Sequence, residues 1–96
     1  MDAENLATEY LLSIVRPLTK FPEQVQVRHH IDDAGRGIVL NVIAEKDDLA
    51  LLIGKHGLMA RCIRNILRGW CGINNARIIL HIGSPVNLNN ENEEEN

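Results

Sequence analysis

The chain has 96 residues, which is enough for one domain but near the lower limit for burying a core. Its only aromatic residues are Tyr10, Phe21 and Trp70, so a binding surface built on many stacking rings is excluded. The net charge of −3 hides an asymmetry, because residues 49–90 carry five basic side chains and no carboxylate, while the segments on both sides are acidic. Any polyanion would therefore have to bind through backbone groups and this basic segment.

The sequence gives no sign of a membrane span or an export signal. No apolar stretch approaches the roughly 20 residues needed to cross a bilayer, and the N-terminus is acidic where a signal peptide would be basic. Cys62 and Cys71 form no CxxC pair. In a reducing compartment, two such thiols usually serve as small apolar residues. We therefore expect a cytoplasmic protein without membrane association.

The first half of the chain predicts a helix followed by a β-hairpin. Apolar residues at helical spacing predict a helix over 3–18, with Asp2 as its N-cap. Residues 24–31 alternate in polarity and 38–44 are rich in β-branched residues, so both segments predict strands, joined by the turn at 32–37. The residues predicted to face inward from the first strand are Val25, Val27, His29 and Ile31.

The second half predicts two helices and a third strand. Asp47 or Asp48 is expected to cap a short helix over 49–53, and a longer helix follows from 58 to about 70, where Gly69 and Gly72 end it. Alternation over 77–82 predicts the third strand. The residues predicted to form the apolar side of the longer helix are Met59, Ile63, Ile66, Leu67 and Trp70.

The element order α-β-β-α-α-β predicts an α+β domain with a three-stranded mixed sheet and three helices on one face. The hairpin makes the first two strands antiparallel, and the helical crossover favours a parallel third strand. We expect this domain to span residues 1–83. Residues 84–96 are mostly asparagine and glutamate, a composition that predicts a disordered acidic tail.

The segment Gly54-Lys55-His56-Gly57 lies between the two later helices and indicates an anion site. The first amides of the second of these helices have no partner within the helix, and the helix dipole adds partial positive charge there. Lys55 contributes a full charge and His56 another donor, while Ile53 and Leu58 are expected to anchor the turn to the core. The simpler alternative is a glycine-rich turn between helices.

These residues resemble the signature of the KH domain: an aliphatic residue, Ile53, then G-x-x-G at Gly54–Gly57, then a second helix with Ile63. The element order resembles the type II arrangement of that domain. Over residues 3–82 the chain is similar to the small bacterial single-KH RNA-binding proteins (KhpA-like).

The resemblance implies non-catalytic binding of single-stranded RNA in post-transcriptional regulation. By this resemblance, the sugar-phosphate backbone would lie against Gly54, Lys55, His56 and Gly57. Ile53 would form part of the aliphatic floor of the groove. The family also implies a homodimer, or a heterodimer with a second KH-containing RNA-binding protein.

Three arginines are further candidates for RNA contacts. Arg61 and Arg64 follow the G-x-x-G segment on the next helix, although an ordinary solvated helix face explains them equally well. The resemblance assigns the turn at 32–37 to the loop that closes the groove, from which Arg36 would reach a phosphate.

The chain lacks the residue patterns of an enzyme or a metal site. It contains no phosphate-binding P-loop motif and no convergent His/Asp/Ser set, and the four histidines show no metal-ligand spacing. We therefore expect no cofactor, no metal and no catalysis. The alternative that stays open is a protein-interaction or dimerisation module with only incidental nucleic-acid binding.

Overall fold

The computed structural model describes residues 2–32, 35 and 37–82, in which three helices pack against one face of a three-stranded sheet. The helices are α1 (Ala3–Val15), α2 (Lys46–Ile53) and α3 (Leu58–Asn74), and the strands are β1 (Gln26–Ile31), β2 (Ile38–Ile43) and β3 (Ile78–Ile82). The strand order is β1-β2-β3, with β1 antiparallel and β3 parallel to the central β2. The predicted α+β fold and mixed sheet are confirmed. Arg36 and the predicted tail at 84–96 lie outside the described residues.

A single aliphatic core lies between the helices and the sheet. α1 begins where Asp2 accepts a hydrogen bond from the Asn5 amide at 2.9 Å, as predicted for an N-cap. Alternate residues of β2 and β3 point toward the helices, so each strand contributes every second side chain. The buried members of the core are Ala7, Leu11, Val15, Val25, Ile38, Leu40, Val42, Leu52, Ile63, Leu67 and Leu80.

The start of α2 differs from the prediction. The helix begins at Lys46 with Glu45 as its N-cap, and no side chain forms a capping hydrogen bond there. Asp48 is instead fully buried, and its carboxylate accepts hydrogen bonds from the backbone amides of Lys20 at 2.9 Å and Phe21 at 3.1 Å. The aspartate therefore ties α2 to the segment that follows α1, because two backbone donors satisfy its buried charge.

The predicted ends of α1 and α3 are wrong by about one turn. α1 stops at Val15, and Pro17 lies in a short 3-10 turn over Arg16–Leu18. α3 runs past Gly69 and Gly72 to Asn74, and Asn75 ends it in the left-handed conformation at φ 51°. Both glycines are exposed and remain helical, because a glycine weakens a helix by only about 1 kcal/mol.

Two predicted core positions on β1 are also wrong. Val25 is buried and Val27 is half-buried, but His29 and Ile31 are exposed, Ile31 to 45%. β1 is an edge strand, and the His29 ring lies at its border with α1, where Nδ1 is 3.1 Å from the Thr8 hydroxyl. Val39 points to the face of the sheet away from the helices, and it is only 8% exposed there.

No helix within the described ranges is both long and apolar enough to cross a membrane.

Candidate nucleic-acid interface

The four residues Gly54–Gly57, here called the GxxG loop, form a tight turn between α2 and α3. The Gly54 amide donates to the Ala50 carbonyl at 2.9 Å and closes α2, and the Gly57 amide donates to the Gly54 carbonyl at 3.1 Å. Gly54, His56 and Gly57 all have positive φ values, of 78°, 58° and 73°. The turn therefore needs a backbone that only glycine adopts without cost, and His56 holds a left-handed conformation that is uncommon for its residue type.

The two glycines meet different surroundings. A Cβ added to Gly54 would lie 2.7 Å from both the amide nitrogen and the Cβ of Met59, a distance that real Cβ atoms essentially never show. A Cβ added to Gly57 would meet nothing within 4 Å. Gly54 is thus packed closely against Met59 of its own chain, whereas the space in front of Gly57 is open to another molecule.

The outer surface of the GxxG loop presents donors. Lys55 and His56 are both exposed, and the N-cap of α3 is Gly57, which offers no side chain to the first amides of the helix. α3 has 17 residues, so its dipole is fully developed. An exposed ammonium group, an exposed imidazole and the N-terminus of a long helix thus lie next to one another in the chain, a combination that suits a phosphate.

The expected anchors of the GxxG loop are wrong. Ile53 is 40% exposed and Leu58 is 57% exposed, so neither side chain is buried in the core. The adjoining residues Leu52, fully buried, and Ala60, 6% exposed, point inward instead. Ile53 is therefore an apolar side chain on the surface next to the loop, and its proposed role in the floor of a binding groove stays a prediction.

A groove of about 280 Å³ runs between α3 and the edge strand β3. We call it the arginine groove, and its lining consists of Arg64, Leu67, Arg68, Cys71, Ala76, Arg77, Ile78 and Leu80. Its floor is aliphatic, and its three arginines are exposed. Guanidinium groups above an aliphatic floor can hold phosphates while apolar atoms contact bases or sugars.

The arginine groove and the GxxG loop belong to one continuous surface. α3 and β3 are joined by only three residues and lie side by side in opposite directions, with Arg64 Nη2 donating to the Leu80 carbonyl at 3.4 Å. Gly57 precedes Arg64 by seven residues, which is roughly 10 Å along a helix. The GxxG loop therefore lies beyond the end of the arginine groove at which Leu80 is found. Arg61 lies on the turn of α3 between the loop and the groove.

The opposite end of the groove adjoins the β1–β2 hairpin. The Ile38 amide donates to the Arg77 carbonyl at 2.8 Å, and a Cβ on Gly37 would lie 3.4 Å from that carbonyl oxygen. The hairpin thus borders the end that is farther from the GxxG loop. Arg36 lies outside the described residues, and its contact with a ligand stays a prediction.

The structure brings some predicted site residues together and adds others. Arg64 lines the groove, whereas Arg61 is exposed outside it. Arg68 and Arg77 were not among the predicted site residues, although both line the groove with Arg64. The sequence signal for them was the short connection between the long helix and the third strand, which forces the two elements to lie side by side. Among the described residues, no group of three or more His, Cys, Asp or Glu side chains is placed to hold a metal ion.

Comparison with known proteins agrees with this geometry. The family model described as the KH domain of KhpA/KhpB matches residues 8–82. The RNA-binding protein KhpA of Listeria monocytogenes is 35% identical over 74 residues, which cover 77% of this chain and 95% of that protein. KhpA of Chlamydia pneumoniae is 30% identical over 74 residues, covering 77% of this chain and 92% of that protein.

KhpA of Clostridium acetobutylicum is 27% identical over 74 residues, covering 77% of this chain and 96% of that protein. No solved structure matches the chain. The family match extends from within α1 to the end of β3, and it includes the GxxG loop and the arginine groove. The chain therefore belongs to the KhpA/KhpB family of KH domains.

Proposed function

We propose that this chain binds single-stranded RNA without catalysing a reaction, through the GxxG loop and the arginine groove. The observation that carries the proposal is the continuity of the two, an α3 N-terminus with Lys55 and His56 leading into a groove with three arginines. No carboxylate occurs anywhere in residues 49–82, so the GxxG loop, α3 and β3 contribute no side-chain charge that repels phosphate. The names of the KhpA relatives, which describe them as RNA-binding proteins, support the same function.

The GxxG loop and the arginine groove are proposed to contact different parts of the RNA, because their chemistry differs. The GxxG loop would hold the sugar-phosphate backbone, because its donors are charged or are backbone amides and its glycine at position 57 leaves space for close approach. The floor of the groove would contact bases through aliphatic atoms. The site offers no aromatic platform, since Trp70 stacks on Tyr10 with ring centroids 6.3 Å apart and packs against the core. We therefore expect modest affinity, on the order of micromolar for a short strand.

The salt dependence of RNA binding tests this proposal. A KH domain holds about four nucleotides, and each neutralised phosphate of a single strand contributes about 0.7 to the slope, so the log–log slope of the association constant against salt should be near −3. Fluorescence anisotropy of a labelled short RNA between about 50 and 300 mM salt measures it. A slope near zero, or no binding at about 50 mM salt, would rule out the proposed phosphate contacts.

We also propose that the chain acts as a dimer, either with itself or with a second KH-containing protein. α3 presents three faces: a buried face toward the core, an arginine face toward the groove, and an outer face without charge. The outer face consists of Leu58, Cys62, Asn65, Ile66, Gly69 and Ile73. Ile73 is 86% exposed and Ile66 is 46% exposed, so this is apolar surface that another protein can cover.

The spacing on the outer face favours another helix as the partner. Positions 62, 66, 69 and 73 are separated by four, three and four residues, the spacing of a seam between two packed helices. In an antiparallel pair of identical helices, Ile66 would face Gly69 of the second copy and Ile73 would face Cys62. Each isoleucine then meets a smaller residue, and the arginine faces of both copies point away from the contact.

Replacing both isoleucines tests the proposed dimer. We expect the variant Ile66→Glu/Ile73→Glu to be monomeric by light scattering at concentrations where the unmodified chain is dimeric, with the dissociation constant of the dimer raised at least about tenfold. Ile31→Glu is the matched control, because Ile31 is 45% exposed on β1. A strictly monomeric unmodified chain that also captures no second KH-containing protein would contradict the proposal. If the chain dimerises but binds no RNA, the result favours the alternative function, a protein-interaction module.

A further inference from the structure

We propose that the acidic segment Glu91–Glu95 of the same chain binds in the arginine groove and competes there with RNA. This inference rests on the proposed function, since competition has meaning only if the groove is part of the RNA site. It adds an internal regulator to that site. The chain would carry both the cationic surface and an anion that occupies it when RNA is absent.

The groove offers more donors than the described part of the chain uses. Arg64, Arg68 and Arg77 carry five N–H donors each, and the hydrogen bond from Arg64 to the Leu80 carbonyl uses one of the donors of Arg64. The guanidinium fork matches the two oxygens of a carboxylate as well as those of a phosphate. Because residues 49–82 contain no carboxylate, any anion for this groove must come from another segment or another molecule.

The acidic segment is attached next to the groove. Residues 83–96 lie outside the described residues, but they continue directly from β3, which forms one wall of the groove. Leu80 and Ile78 precede Ile82 by two and four residues, or roughly 7 and 13 Å along a strand. Glu91 is nine residues after Ile82, a distance along the chain whose r.m.s. reach is roughly 15–18 Å for a flexible chain and about 30 Å at full extension.

Tethering makes a weak contact effective. A short flexible connection holds its end at a local concentration of order millimolar. The segment carries four glutamates among residues 91–95 and no basic residue, so it complements the three arginines. A contact with millimolar intrinsic affinity would then occupy the groove for a substantial fraction of the time. RNA must displace it, so the apparent dissociation constant rises by one over the unoccupied fraction, about threefold at two-thirds occupancy and about tenfold at nine-tenths.

The inference is tested in the full-length chain by removing the charge of the tail without shortening it. We expect Glu91→Gln/Glu93→Gln/Glu94→Gln/Glu95→Gln to bind a labelled short RNA about threefold to tenfold more tightly at 50 mM salt. At about 0.5 M salt the difference should fall below about twofold, because the Debye length shortens from more than 10 Å to less than 5 Å. In the background Arg68→Gln/Arg77→Gln, the same tail change should have a much smaller effect, since only Arg64 of the three groove arginines remains.

A matched control separates a specific contact from net charge. The control Glu4→Gln/Glu9→Gln/Glu23→Gln/Glu45→Gln makes the same change in net charge at exposed or half-exposed positions outside the groove. If it tightens RNA binding as much as the tail variant does, the effect is long-range charge and the inference is overturned. If the tail variant binds RNA with unchanged affinity, the inference is likewise overturned, while the proposed function stands.

A measurement without RNA keeps the two proposals distinguishable. In ¹H–¹⁵N spectra of the free protein, the arginine Nε–Hε signals of the groove should shift between the unmodified chain and the tail variant, whereas the amide signals of α1 should not. Unchanged groove signals would overturn the tail contact whatever the RNA experiment gives. Shifted signals in a protein that binds no RNA would retain the contact and reject the proposed function instead.

Discussion

Changing Lys55 and His56 together to aspartate should lower the affinity for short single-stranded RNA at least about 100-fold. Hydrogen bonds to charged groups contribute about 1.5–3 kcal/mol each, so the loss of two such donors is worth about 3–6 kcal/mol, and every 1.4 kcal/mol is tenfold in affinity. The two new carboxylates would also repel phosphate at the N-terminus of α3. Anisotropy titration of Lys55→Asp/His56→Asp against the unmodified chain measures the loss.

The fold should survive this double change. Both side chains are exposed, and the two glycines of the loop stay in place. Aspartate tolerates the left-handed conformation of position 56 better than most residues do. Lys46→Asp/His30→Asp is the matched control, because it makes the same exchanges at exposed positions at the start of α2 and on β1. Equal losses in both variants would mean that net charge, and not the loop, determines binding.

The arrangement of elements could be predicted because each one has a local signature. The signatures are the alternation in β1 and β3, the β-branched residues of β2, the glycine-rich hairpin and the two helices on either side of Gly54–Gly57, and each depends on neighbours in the sequence. The handedness and direction of the crossover then follow from general rules for parallel strands. The KH-type order could therefore be recognised before any coordinates were available, and the GxxG loop with it.

Which side chains of a helix or strand are buried could not be predicted in the same way. A helical wheel places Ile66 beside Ile63 and Leu67, yet Ile63 is 1% exposed and Ile66 is 46% exposed. Hydrophobic periodicity indicates which residues are apolar, but not how wide a strip the neighbouring elements cover. Ile31 on β1 fails for the same reason, since the end of an edge strand lies beyond the layer of helices.

The arginine groove depends on contacts between elements that only the fold defines. Arg64 and Arg68 share a helix face, but Arg77 joins them only because α3 lies along the edge strand β3. The short connection between α3 and β3 indicates that these two elements lie side by side, but no motif around Arg77 marks it as a ligand contact. The loop half of the candidate site was therefore available from a motif, whereas the groove half required the packing of α3 against the sheet.

The second large effect concerns the stability of the fold. Gly54→Ala should lower the free energy of unfolding by about 2–5 kcal/mol, because position 54 combines φ 78° with ψ 172°, a region essentially restricted to glycine. The added methyl group would also lie 2.7 Å from the Met59 amide nitrogen, and overpacking of this kind typically costs about 1–3 kcal/mol. Urea denaturation measures the difference in the free energy of unfolding between the two proteins when their m-values are equal.

Gly57→Ala is the matched comparison within the same loop. It shares the positive φ, at 73°, but its methyl group would meet nothing within 4 Å, so we expect a cost of only about 1–2 kcal/mol. Because that methyl group points into open space in front of the GxxG loop, it should obstruct a ligand's backbone and weaken RNA binding. Equal destabilisation by both substitutions would show that backbone conformation alone requires the glycines. A clear difference, with RNA affinity lost in a stable Gly57→Ala protein, would show that Gly54 serves the fold and Gly57 serves the ligand.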